Sequence, residues 1–162
     1  GRIGLLLSKY LYALGADIYF YDKNSNIKPQ NGSKKTNSIE SLISKCDIIC
    51  LCASYENNDY IINADHLISM KDKFFINTSR GELVDEDFLL KKIKENHFRG
   101  VAIDVITDES KDLNNLKEIR EISDSNVNFI YTPHVGGATM SSINRTELFI
   151  TEKVKDILDY GV

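Results

Sequence analysis

Asp47-Ile48-Ile49-Cys50-Leu51-Cys52-Ala53 is the stretch on which the fold turns. Its apolar residues do not alternate with polar ones, as they would in a strand with one wet face. The run therefore reads as a strand buried on both faces of a parallel sheet. Its flanks support that reading. Upstream, Ser38 can cap a helix through Ser44 that turns Ile39, Leu42 and Ile43 inward. Downstream, Asn63 can cap a second helix carrying Leu67, Ile68 and Met70, and Phe74-Phe75-Ile76 forms the next strand. Asp85 caps a third helix with Phe88, Leu89, Leu90 and Ile93 apolar, and Val101 to Val105 gives another buried strand. Strands alternating with helices over crossover-length connections argue a doubly wound parallel α/β sheet.

Working back to the N-terminus, Ala16 to Tyr21 reads as a β-rich run ending in Asp22. Before it, Leu5, Leu6, Leu7, Tyr10, Leu11 and Leu14 make an apolar helical face that stops at Gly15 and opens on Gly1-Arg2-Ile3-Gly4. A glycine-led helix, a strand and a terminal acid form the latter part of a dinucleotide-binding βαβ unit. In that unit the glycines let the backbone approach a pyrophosphate, the helix start supplies N–H groups, and the acid accepts from ribose hydroxyls. Only the second half of the G-x-G-x-x-G fingerprint is visible, so the first strand is expected before residue 1. A tightly packed helix start explains the glycines alone equally well.

Towards the other end, residues 23 to 37 read as an exposed polar loop with room for a short edge strand. Residues 106 to 126 form a long polar segment in which Leu113, Leu116, Ile119 and Ile122 could make one short helix. Val127 to Tyr131 is a last strand, followed by Thr132-Pro133-His134-Val135-Gly136-Gly137-Ala138-Thr139. Pro133 ends the strand, and Gly136-Gly137 permit backbone conformations or a close ligand approach that a Cβ would obstruct. His134 is thereby placed as a candidate for chemistry, with a core or capping histidine as the competing reading. The final helix should run from about Ser141 to Tyr160, with Ile143, Ile150, Val154, Ile157 and Leu158 facing the body and Thr139 as cap.

The 162 residues suffice for one domain with a real core. The formal charge of -4 is spread over interleaved acids and bases, so nucleic acid and an anionic membrane are not expected as partners. The longest apolar runs fall far short of the ~20 residues of a membrane helix, no signal-peptide pattern opens the chain, and the cytoplasm is the expected compartment. Cys50 and Cys52 lie two apart and cannot bridge each other. Cys46 stands outside their run, and no metal site is expected from such spacing. Three Asn-x-Ser/Thr triplets, at Asn31, Asn77 and Asn144, read as coincidence.

In an open α/β sheet, ligands bind outside the carboxyl ends of the strands. Arg80, Glu109 and His134 each follow a predicted strand, which points them towards one cleft, and Asp104 near the end of its own strand could join them. The segments Gly1-Arg2-Ile3-Gly4, Tyr21-Asp22, Asn77 to Asp85, Gly100 to Val105 with Glu109, and Thr132 to Thr139 together resemble the D-isomer-specific 2-hydroxyacid dehydrogenases, the family that includes phosphoglycerate dehydrogenase. The resemblance runs in order over nearly the whole chain. It implies a Rossmann-type NAD-binding domain and a homodimer acting on a small 2-hydroxy or 2-oxo acid. His134 would be the general acid/base, Glu109 would favour its protonated form, and Arg80 would bind the substrate carboxylate. Cofactor contacts would come from Gly1, Arg2, Ile3, Gly4, Asp22, Ala53, Thr78, Asp104 and Gly136, with Asp22 favouring NAD over NADP. Cys52-Ala53-Ser54 departs from the family's usual His-x-Pro turn, and Ser110 replaces a common proline. The chain is expected to be one dinucleotide-binding domain, residues 1–162, cut from a longer protein whose substrate domain lies elsewhere. An NAD-responsive binding module or corepressor-like protein without significant turnover stays open beside the enzyme.

Overall fold

Helices and strands alternate through the described residues in the order α1 (Arg2–Ala13), β1 (Tyr19–Phe20), β2 (Lys34–Lys35), α2 (Ile39–Lys45), β3 (Ile48–Leu51), α3 (Ala64–Ser69), β4 (Phe74–Asn77), α4 (Glu86–Lys94), β5 (Gly100–Ile103), α5 (Leu113–Ser123), β6 (Phe129–Tyr131) and α6 (Met140–Tyr160). The structure, a computed structural model, describes residues 1–55, 60–107 and 113–161. They form two compact units, Gly1–Tyr131 and Thr132–Val162.

In the first unit β3, β4, β5 and β6 pair in that order, all parallel, and β1 pairs with β2 in a separate parallel ribbon. Such pairing needs a crossover between strands. The helices supply it: α2 packs on α3, α3 on α4, and α4 on α5. Between this row and the sheet lies the core. Phe75 and Ile103 contribute from the strands, and Ile43, Leu67, Leu89, Leu90 and Ile119 from the helices, each at most 3% exposed. Each such side chain contributes about 1.5–3 kcal/mol by leaving water.

The predicted helix starts are observed. Ser38 Oγ accepts from the Ser41 N–H, Asn63 from His66, Asp85 from Phe88 and Thr139 from Ser142. Gly15 follows α1 with φ +88°, where glycine is favoured.

Burial departs from expectation at two places in this unit. β3 is not covered on both faces: Ile49 and Leu51 are buried, while Ile48 is 54% exposed. It is one edge of the four-stranded sheet, because among the described residues nothing pairs between it and β1. For the same reason α1 has no continuous sheet beneath it, and none of its residues is buried. The second unit is the loop 132–139 and α6. Taken by itself, this unit leaves the stripe Ile143, Ile150, Val154, Ile157 and Leu158 exposed, from 39% at Ile143 to 78% at Leu158. A single helix cannot bury its own apolar stripe.

Candidate functional site

At the carboxyl end of β4 the chain reads Asn77-Thr78-Ser79-Arg80-Gly81, and two buried polar side chains set its path. Asn77 Oδ1 accepts from the Ser79 N–H at 2.9 Å, and its Nδ2 donates to the Arg80 carbonyl at 3.0 Å. Ser79 Oγ donates to the Leu51 carbonyl at 2.7 Å, fastening this loop to the end of β3. The exposed Arg80 donates through Nη1 to the Ser79 carbonyl at 2.6 Å. Its backbone and its guanidinium are thus both tied to the same turn. Asn77 also explains its own Asn-x-Ser triplet. At 2% exposure, with both amide groups engaged, it serves the loop and is closed to a glycan.

Gly81 presses on the neighbouring strand end. A Cβ there would lie 2.2 Å from Ile106 C and Thr107 N, both backbone atoms. Glu86, buried at the start of α4, accepts from the Thr107 N–H at 2.7 Å and fixes the same peptide from the other side. Asp104, itself buried, donates its N–H to the Asn77 carbonyl at 2.9 Å. The register pairing Asn77 with Ile103 brings Thr78 level with Asp104 at the strand ends. Thr78, Arg80 and Asp104 therefore share the carboxyl end of the sheet. Glu109 and Ser110 lie outside the described residues.

A second cluster forms around the start of α1. A Cβ on Gly4 would lie 3.4 Å from Cys52 Cβ, and one on Gly1 would lie 3.8 Å from the Cys52 carbonyl, so this turn rests on the segment that leads to Ala53. Asp22, just past β1, has Oδ2 3.6 Å from the Gly1 backbone nitrogen and accepts from the Asn24 N–H through Oδ1 at 2.9 Å. Gly1, Arg2, Ile3, Gly4, Asp22 and the approach to Ala53 lie together around the start of α1. Burial raises the Cys52 thiol and pushes Cys50 up to about 11, which keeps both thiols protonated and unreactive at neutral pH.

His134 belongs to the second unit. It has φ 51°, a left-handed conformation that costs a non-glycine residue about 1–2 kcal/mol. Its N–H donates to the Thr132 carbonyl at 2.9 Å. The special conformation expected of Gly136-Gly137 thus falls on the histidine, and neither glycine has a positive φ. Beyond it, Ala138 N–H bonds to the Val135 carbonyl at 3.2 Å, and Thr139 starts α6.

Asn77, Ser79 and Glu86 escape a reading by residue type. Their signal is the pairing of a polar residue with burial, and burial is settled by neighbours distant in sequence.

The family described as D-isomer specific 2-hydroxyacid dehydrogenase, NAD binding domain, matches residues 1–136. A D-3-phosphoglycerate dehydrogenase of Haemophilus influenzae is 34% identical over 99% of this chain and 39% of its own length. A D-2-hydroxyacid dehydrogenase (NAD(+)) of Clostridioides difficile is 29% identical over 88% of this chain and 46% of its own. Among solved structures, D-2-hydroxyisocaproate dehydrogenase superposes with a TM-score of 0.86 at 27% identity, covering 100% of this chain and 52% of that one. The D-lactate dehydrogenase of Aquifex aeolicus, complexed with NAD and lactic acid, gives 0.83 at 28% identity, covering 98% and 51%. The chain spans about half, or less, of the length of these relatives.

Proposed function

Since this chain belongs to the D-isomer specific 2-hydroxyacid dehydrogenase family through its Rossmann-type NAD-binding domain, we propose that the protein containing it transfers a hydride between nicotinamide and C2 of a D-2-hydroxy or 2-oxo acid. The likeness to a D-3-phosphoglycerate dehydrogenase makes 3-phosphoglycerate and its 2-oxo counterpart the first substrates to test. The observation that carries the reading is the fastening of Arg80. Asn77, Ser79 and the bare Gly81 set a permanently charged, exposed fork at a strand end, a device suited to a carboxylate.

The residues present fit NAD. The N–H groups of Arg2, Ile3 and Gly4 open α1, the Gly1 cap makes no side-chain hydrogen bond, and such a first turn suits a pyrophosphate. Asp22 accepts from the ribose hydroxyls and repels a 2'-phosphate. Thr78 and Asp104 seat the nicotinamide end, and Ala53 and Gly136 are assigned as further cofactor contacts. Bound NAD supplies the hydride acceptor. Arg80 binds and orients the substrate carboxylate. His134 takes the proton from the C2 hydroxyl during oxidation and returns it to the carbonyl oxygen during reduction, and Glu109 favours its imidazolium form.

We extend the proposal to architecture. A strand from upstream of Gly1 pairs between β1 and β3, where both present open edges, and a substrate domain comes from elsewhere in a cytoplasmic, homodimeric protein. The test is NADH oxidation by the full-length protein with a panel of 2-oxo acids. His134→Ala should lower kcat by about 10²–10⁴-fold, the range for losing a general acid/base, while NADH still binds. Undiminished kcat refutes the role of His134, and NADH binding without turnover on any 2-oxo acid favours a binding module.

A further inference from the structure

Lys35 lies on β2, opposite Phe20 of β1, and Asp22 follows two residues after Phe20. Its Nζ donates to three backbone carbonyls of the loop beyond that acid: Asn24 at 3.1 Å, Ser25 at 3.0 Å and Ile27 at 3.2 Å. An ammonium has three N–H donors, and here each finds a carbonyl. The loop is polar and lies largely on the surface, so convergence of its carbonyls on one point needs a cation to offset their mutual repulsion.

The same loop holds Asp22. Asp22 Oδ1 accepts from the Asn24 N–H at 2.9 Å, and Asn24 Oδ1 accepts from the Asn26 N–H at 2.9 Å. The Asn24 carbonyl, one of the three on Lys35, also accepts from the Ile27 N–H at 3.2 Å. Each turn is built on the one before it, and Lys35 closes the series. β2 is itself anchored on β1 by Lys34 N–H to the Ile18 carbonyl and by Thr36 N–H to the Phe20 carbonyl, both 2.8 Å. The ammonium is therefore carried on backbone that is fixed relative to β1.

We propose that Lys35 is a positioning residue for the adenosine end of the cofactor: it folds the 24–27 loop, which orients the Asp22 carboxylate towards the ribose. This rests on the reading of Asp22 as the ribose acceptor. Lys35 touches no reacting atom, so its removal acts on cofactor affinity and leaves the chemical step alone.

The experiment measures NADH dissociation constants by calorimetry, together with steady-state kinetics, on the full-length protein and its Lys35→Met, Lys35→Gln, Asp22→Ala and Asp22→Ala/Lys35→Met variants. Lys35→Met should weaken NADH binding about 5–10-fold, with kcat at saturating NADH and KM for the 2-oxo acid unchanged. In the Asp22→Ala background it should add less than about twofold, because residues acting through one group are not additive. An NADH constant within twofold of the parent overturns the proposal, and so does an equal loss with and without Asp22. A fall in kcat alongside affinity marks a merely structural role and also overturns it. Should Lys35→Met fail to fold, Lys35→Gln, whose uncharged amide has too few N–H donors for the three carbonyls, is read by the same criteria. If Asp22→Ala itself leaves NADH affinity unchanged, the assignment of Asp22 fails independently of Lys35.

Discussion

Gly81 shows how little room a single position can have. An added Cβ would meet Ile106 and Thr107 backbone atoms at 2.2 Å, and no rotamer can relieve a clash between main-chain atoms and a Cβ. The pressed peptide is also the one that Glu86 holds, so it cannot retreat without breaking that bond. Gly81→Ala should therefore destabilise the protein by at least about 2 kcal/mol, at the upper end of the overpacking range, and weaken 2-oxo acid binding through displacement of Arg80. Urea unfolding checks the first part, where a change below about 0.5 kcal/mol contradicts the contact. Substrate KM checks the second. His134 teaches the complementary lesson. A Gly-Gly pair is the natural place to expect a left-handed residue, yet the chain puts φ 51° on the histidine before it. Residue type ranks conformations, and the path of the loop decides among them.

The elements themselves were largely legible because their signals are local. Ser38, Asn63, Asp85 and Thr139 each cap the helix that follows, through a bond to a residue three positions on, which is why reading in order finds them. Lys35 is 8 to 11 residues from its acceptors, and Asn77 owes its burial to neighbours throughout the sheet. Neither leaves a local trace. The bond between α2 and α3 is of that long-range kind as well: His66 Nε2 lies 3.1 Å from Glu40 Oε1, while His66 Nδ1 accepts from the Asn63 N–H at 3.3 Å. The Glu40 carboxyl, hydrogen-bonded by Ser38, by its own backbone and by His66, falls from its ordinary 4.5 to about 2. A lowered carboxyl stabilises the fold above pH 4.5, and that contribution is lost as pH falls towards 2. Thermal melts over this window should fall more steeply for the parent than for Glu40→Gln. The gap should narrow in high salt, because Glu40 is on the surface. Parallel slopes contradict the pairing.

For the molecule as a whole, the open edges of β1 and β3 and the uncovered α1 make one pattern. Ile48 on β3 is 54% exposed, Leu6 on α1 is 51% exposed and Leu14 just after α1 is 83% exposed. Large apolar side chains left bare in this way suit a surface that further chain covers. If an upstream strand fills the gap, amide hydrogens of Tyr19–Phe20 and Ile48–Leu51 will exchange much more slowly in the full-length protein than in the isolated chain. Equal exchange rates remove the proposed strand. The parallel α/β class and many of the inward-facing residues could be anticipated because strand and helix periods differ. The exposure at this interruption could not, because burial depends on what stands alongside. The Gly81 contact reaches beyond the folded molecule to its gene. Every one-base change that replaces glycine with another amino acid adds a Cβ, so at this codon only silent changes leave the strand-end contact intact, and variation there should be confined to the third base.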